Sequence, residues 1–169
     1  MFRSHYFNPA RLYLGLAALA LGVLVYALDR PAARTYFLPD DLDLPAQLHG
    51  SFGALGQHLP TFLHVLAFCL LTAALLRVGR RGALAISAGW LLVDGAFEIG
   101  QHPAVAPTLA RWTPAWFDRV PVLDNTAGYF LAGRFDPLDL ASIAAGAALA
   151  LPLILVTRRY DPPSRNNGV

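Results

Sequence analysis

Seven residues in this chain have the types and spacing to do chemistry together: His64, Asp94, Glu98, Gln101, Arg134, Asp136 and Asp139. They sit at the ends of three apolar runs, where charge is costly and needs a reason. An imidazole, carboxylates and a guanidinium in one pocket can move protons and hold an anion. In that arrangement Glu98 is the base, His64 the acid or proton shuttle, and Asp136 and Asp139 orient Arg134 and His64. Arg134 clamps an anionic group, and Gln101, Asp94 and Asp136 complete the binding surface. The set includes ligands for hard cations and zinc, but no contiguous His-Glu-x-x-His motif exists. No metal and no cofactor are therefore expected. A serine triad is excluded in the same way, because no Gly-x-Ser-x-Gly elbow is present.

The elements that must position these residues are legible from composition. Of the 169 residues 56% are apolar and only 14% charged, against about 25% charged in a soluble domain. The expectation is a single all-α domain over residues 1–169, an integral membrane four-helix bundle in the cell membrane. The net charge of +2 and dispersed arginines exclude a nucleic-acid partner. The predicted spans are 12–28, 60–76, 83–100 and 138–157, each near the ~20 residues that cross a hydrocarbon core.

All thirteen basic residues are arginines. Arg3, Arg11, Arg77, Arg80, Arg81, Arg158, Arg159 and Arg165 fall on one side. Arg30, Arg34, Arg111, Arg119 and Arg134 are spread over two long loops on the other. The positive-inside rule then places both termini in the cytoplasm. A cleaved signal peptide is the competing reading of the first run. Its 17-residue core and the lack of a small-x-small site after it favour a span.

That topology brings the seven polar residues to the outer face. Asp94, Glu98 and Gln101, spaced four and three apart, share one helical face. Asp136 precedes Pro137 and reads as a helix cap. Structural readings stand beside the chemical ones. Arg134 suits a bridge to Asp139 or Glu98, His64 an interhelical hydrogen bond, and Gln101 polar glue between spans. Cys69, the one cysteine, reads as a small buried hydrophobe. The outer loops, residues 29–59 and 101–137, are expected to carry short interfacial helices. Trp112 and Trp116 are four apart and predicted to share a helix face, as an anchor in the headgroup layer or a lid over the site.

The order of an early-span His64, then Glu98-x-x-Gln101, then Gly133-Arg134-x-Asp136-x-x-Asp139 resembles VanZ-like membrane proteins across roughly residues 60–150. The resemblance implies a four-helix membrane domain with a loose link to teicoplanin-type glycopeptide resistance at the cell envelope. Two functions follow. One is binding and chemical modification of a lipid or lipid-linked anionic headgroup. The other is a non-catalytic protein that binds or shields envelope ligands and so contributes to antibiotic resistance. Neither the oligomeric state nor the substrate follows from the sequence.

Overall fold

The computed structural model describes residues 7–29, 50–76, 78–120 and 123–160. Six α-helices follow in order: α1 (Pro9–Asp29), α2 (Gly53–Leu75), α3 (Arg80–Gly100), α4 (Ala106–Trp112), α5 (Thr126–Ala132) and α6 (Pro137–Val156). No strand occurs among the described residues. α1, α2, α3 and α6 are each long and apolar enough to cross a membrane. Their outward faces carry exposed side chains such as Leu16 and Leu24 on α1, Leu92 on α3 and Leu149 on α6. Such a surface suits hydrocarbon rather than water.

α2 is the hub, packing against α1, α3 and α6, and α3 also packs on α6. The core runs along it, with Leu63, Val65, Leu66, Cys69, Leu70 and Ala73 buried against Ile143, Ala147, Ala150 and Ile154 of α6. Cys69 is fully buried, as its apolar surroundings predicted. The approach of α2 to α6 is set by Gly146. A Cβ there would stand 2.6 Å from the Phe62 carbonyl oxygen. Small residues at such a crossing let two backbones pack closely.

Three helices differ from the sequence reading at their ends. α2 begins at Gly53, and Pro60 lies inside it instead of opening it. Proline has no N–H, so the helix passes through with one backbone bond missing. Neighbouring helices make this tolerable in a membrane bundle. α1 gains a turn before Leu12, which carries Arg11 into the helix. Trp112 ends α4, and Trp116 belongs to a separate 3-10 turn, Ala115–Arg119. Thr113 between them is extended, as a residue before proline prefers. The two tryptophans are exposed but do not share one helix face. Residues 30–49, with Arg30, Arg34 and the acidic stretch of the first long loop, lie outside the described residues, as do Arg3, Arg77 and Arg165.

The helices alternate in direction, so one end gathers Arg11, Arg80, Arg81, Arg158 and Arg159. Here Arg11 is fully buried. Its Nη1 donates to the Ala73 carbonyl at 2.9 Å, Nη2 to the Ile154 carbonyl at 3.1 Å and Nε to Thr157 Oγ1 at 3.1 Å. Asn8 reinforces the joint: its backbone N–H donates to the Ala74 carbonyl at 2.9 Å and its Nδ2 to the Thr157 carbonyl at 2.9 Å. Carbonyls in the last turn of a helix lack intrahelical donors, and a cation is favoured there. One guanidinium thus ties the start of α1 to the ends of α2 and α6.

Two stability predictions follow. Arg11→Met strands the buried Ala73 carbonyl and takes one of two donors from the Ile154 carbonyl, which keeps Thr157 Oγ1 at 3.2 Å, so unfolding in detergent should show a loss of roughly 1–3 kcal/mol. Arg11→Lys should recover only part of this, since an ammonium lacks the planar fork. Gly146→Leu should lower the melting temperature of the solubilised protein by separating α2 from α6. An unchanged melting temperature would show that the contact with Phe62 does not set the packing.

Candidate functional site

The opposite end of the bundle holds the polar residues. Besides its contact with α1, α2 turns one face to α6 and another to α3, and the antiparallel register decides what each meets. His58, Phe62 and Val65, spaced four and three, lie on the α6 side. Phe62 and Val65 meet Gly146, so His58, one turn above Phe62, meets Asp139, two turns before Gly146. His64, Phe68 and Thr72 lie toward α3. His64 stacks on Phe68 with ring centroids 4.5 Å apart, Phe68 packs on Trp90 at 4.8 Å, and Trp90 Nε1 donates to Thr72 Oγ1 at 3.0 Å.

The principal contact is His58 Nδ1 to Asp139 Oδ1, 2.9 Å apart. Both side chains are partly open, at 17% and 20% exposure. A carboxylate accepting from Nδ1–H fixes the tautomer and leaves Nε2 as the basic nitrogen. Asp136 stands beside this pair. One oxygen of each carboxylate and one imidazole nitrogen lie within 4.8 Å of one another.

Asp136 is also the N-cap of α6, as expected: its Oδ1 accepts from the Leu138 N–H at 2.9 Å. Its own N–H donates to Glu98 Oε1 at 2.7 Å. Glu98, only 7% exposed, therefore fixes the entry of α6 against the end of α3. Glu98 Oε2 accepts no hydrogen bond among the described residues. The two aspartates gain from the positive end of the α6 dipole.

Gln101 follows on the same face of α3. Its Nε2 donates to the Tyr129 hydroxyl oxygen at 2.7 Å, which ties the end of α3 to α5. Its Oε1 is pressed against the Cα of Gly133, where a Cβ would collide with it. Phe97 packs against both Tyr129 and Phe130, closing α5 over this side. Burial, partly offset by the Gln101 bond, pushes the Tyr129 phenol up, so the hydroxyl keeps its proton.

The seven expected residues thus divide. Glu98, Asp136 and Asp139 form one group, with Gln101 next to it. His64 does not join it. It lies deeper, in the seam between α2 and α3, within electrostatic reach of Asp94. Asp94 Oδ2 is buried without a hydrogen-bond partner, and His64 makes no hydrogen bond among the described residues. Arg134 is exposed and pairs with neither Asp139 nor Glu98; it makes no ion pair among the described residues.

The residue missed by sequence reasoning is His58, which fills the place expected for His64. The signal was present in the spacing His58-Phe62-Val65, but taking Pro60 as the helix start cut it off. A double-mutant cycle separates the two histidines. His58→Asn with Asp139→Asn should couple by about 0.5–3 kcal/mol in unfolding free energy. His64→Asn with Asp139→Asn should be additive, and the reverse pattern would place Asp139 in the wrong seam.

No family model, curated protein or solved structure matches this chain.

Proposed function

We propose that the chain is a VanZ-like protein of the cell membrane, with its arginine-rich end and both termini cytoplasmic. Its outward end binds an anionic lipid or lipid-linked headgroup and acts on it by proton transfer. The observation that carries this reading is the His58–Asp139 pair, built from two helices and left partly open. A contact serving packing alone has no need to be accessible. An aligned imidazole with a carboxylate on Nδ1 and a free Nε2 is the arrangement of a general base.

The roles divide by geometry. His58 Nε2 accepts a proton from a hydroxyl or water at the headgroup, and Asp139 holds the ring. Glu98 positions α6, and so both aspartates, through the Asp136 backbone. Arg134, exposed and without an ion pair among the described residues, is available for a phosphate oxygen pair. The exposed Trp112 and Trp116 suit the headgroup layer beside it.

The test uses the full chain in nanodiscs of phosphatidylglycerol or phosphatidylcholine, with co-purifying lipid read by native mass spectrometry. The protein should retain the anionic lipid preferentially, and Arg134→Gln should weaken that preference about tenfold, the loss of one charged hydrogen-bonding group. His58→Asn should abolish any change in the headgroup. Equal retention of both lipids by the unaltered protein would sink the reading.

A further inference from the structure

The headgroup reading leaves an electrostatic problem. Asp136, Asp139 and the nearly buried Glu98 bring three carboxylates to one spot, and the neighbouring Arg134 pairs with none of them. A phosphate brought to the same place meets like charge at short range. Either the headgroup avoids the cluster or something positive lies between them.

The donor geometry points to a cation. His58, Asp136 and Asp139 each offer one ligand atom, all within 4.8 Å of one another, from two different helices. Around an ion with bonds of about 2.1 Å, ligand atoms at right angles stand about 3 Å apart and opposite ones about 4.2 Å. The His58–Asp139 separation of 2.9 Å matches the first spacing. One imidazole with two carboxylates is a mixed nitrogen and oxygen set, suited to a first-row divalent ion. Glu98 adds a second observation. It is 93% buried by its 7% exposure, and its Oε2 accepts no hydrogen bond beside the two aspartates. That oxygen, on a side chain whose other oxygen holds the Asp136 N–H, has no protein donor among the described residues.

We propose that His58, Asp136 and Asp139 bind one first-row divalent cation, which bridges the carboxylates to the phosphate oxygens of the headgroup. The bridging role rests on the headgroup-binding part of that reading, and an ion held by Nδ1 replaces the base role of Nε2; the binding of the ion rests on neither. Three protein ligands leave coordination positions open for phosphate and water, as in a catalytic rather than a closed structural site. The helix cap survives metal binding, because Asp136 Oδ1 holds the Leu138 N–H while Oδ2 remains. Sequence motifs do not show the site because its ligands come from helices 78 to 81 residues apart.

Titration of the metal-free full chain in detergent with Zn²⁺, and with Mn²⁺ followed by electron paramagnetic resonance, tests the ion alone. One ion per chain is expected for at least one of the two metals. His58→Asn, Asp136→Asn and Asp139→Asn should each weaken it at least tenfold. Asparagine caps a helix about as well as aspartate, so Asp136→Asn keeps the fold and removes only the charge. His102→Asn, at an exposed histidine of the same end, should leave the affinity unchanged. Failure of both metals, or equal affinity in the three variants, overturns the site. Repeating the lipid retention assay with EDTA tests the bridge. Retention that survives EDTA overturns the bridge, whereas metal binding without any lipid preference overturns the headgroup reading and leaves the ion site standing.

Discussion

Everything in this bundle depends on how Arg11 is held. A guanidinium that is fully buried must find acceptors, and here they are the last-turn carbonyls of α2 and α6 with the Thr157 hydroxyl. The cation meets the negative ends of two helix dipoles, and each satisfies the other. The joint fixes the height of three helices relative to one another. With α2 and α6 pinned at one end and brought close at Gly146, their antiparallel register is set, and His58 arrives opposite Asp139 at the other end.

The same register explains why α2 carries two histidines with different surroundings. Six residues separate them, which is about 1.7 turns, so they leave the helix on different sides. His58 looks to α6 and gains an oriented, partly open partner. His64 looks to α3, stacks on Phe68 and lies near the buried Asp94. One seam is polar at its mouth and tightly packed below. The other keeps polar groups down its length, from His64 through Thr72 to the Trp90 indole.

Much of this was legible in the sequence because hydrocarbon imposes simple rules. Runs near 20 residues long with few charges mark the four long helices. The acidic residues at their ends marked the polar end, and Asp136 before Pro137 marked the start of α6. What escaped did so for local reasons. Pro60 looked like a boundary, yet a helix packed on three sides tolerates a missing N–H, and that choice hid His58. Arg11 looked like a topology marker, because arginines beside spans normally reach water. Only the three-dimensional approach of α2 and α6 turns it into a buried joint. Trp112 and Trp116 had helical spacing, but Pro114 between them ends the helix. The spacing of residues is read along one element, whereas His58–Asp139 and Arg11–Ile154 belong to pairs of elements 81 and 143 residues apart.

That last separation bears on how the protein is made. A chain emerging from the ribosome presents Arg11 143 residues before Ile154. α1 and α2 can pair early, with the guanidinium on the Ala73 carbonyl. Its remaining bonds form only after the fourth long helix is in place. Biogenesis therefore passes through a stage in which the first helix holds a partly satisfied cation, and insertion of α6 releases it from that state. The buried arginine acts as a closing latch, and a chain cut short before Ile154 never fastens it.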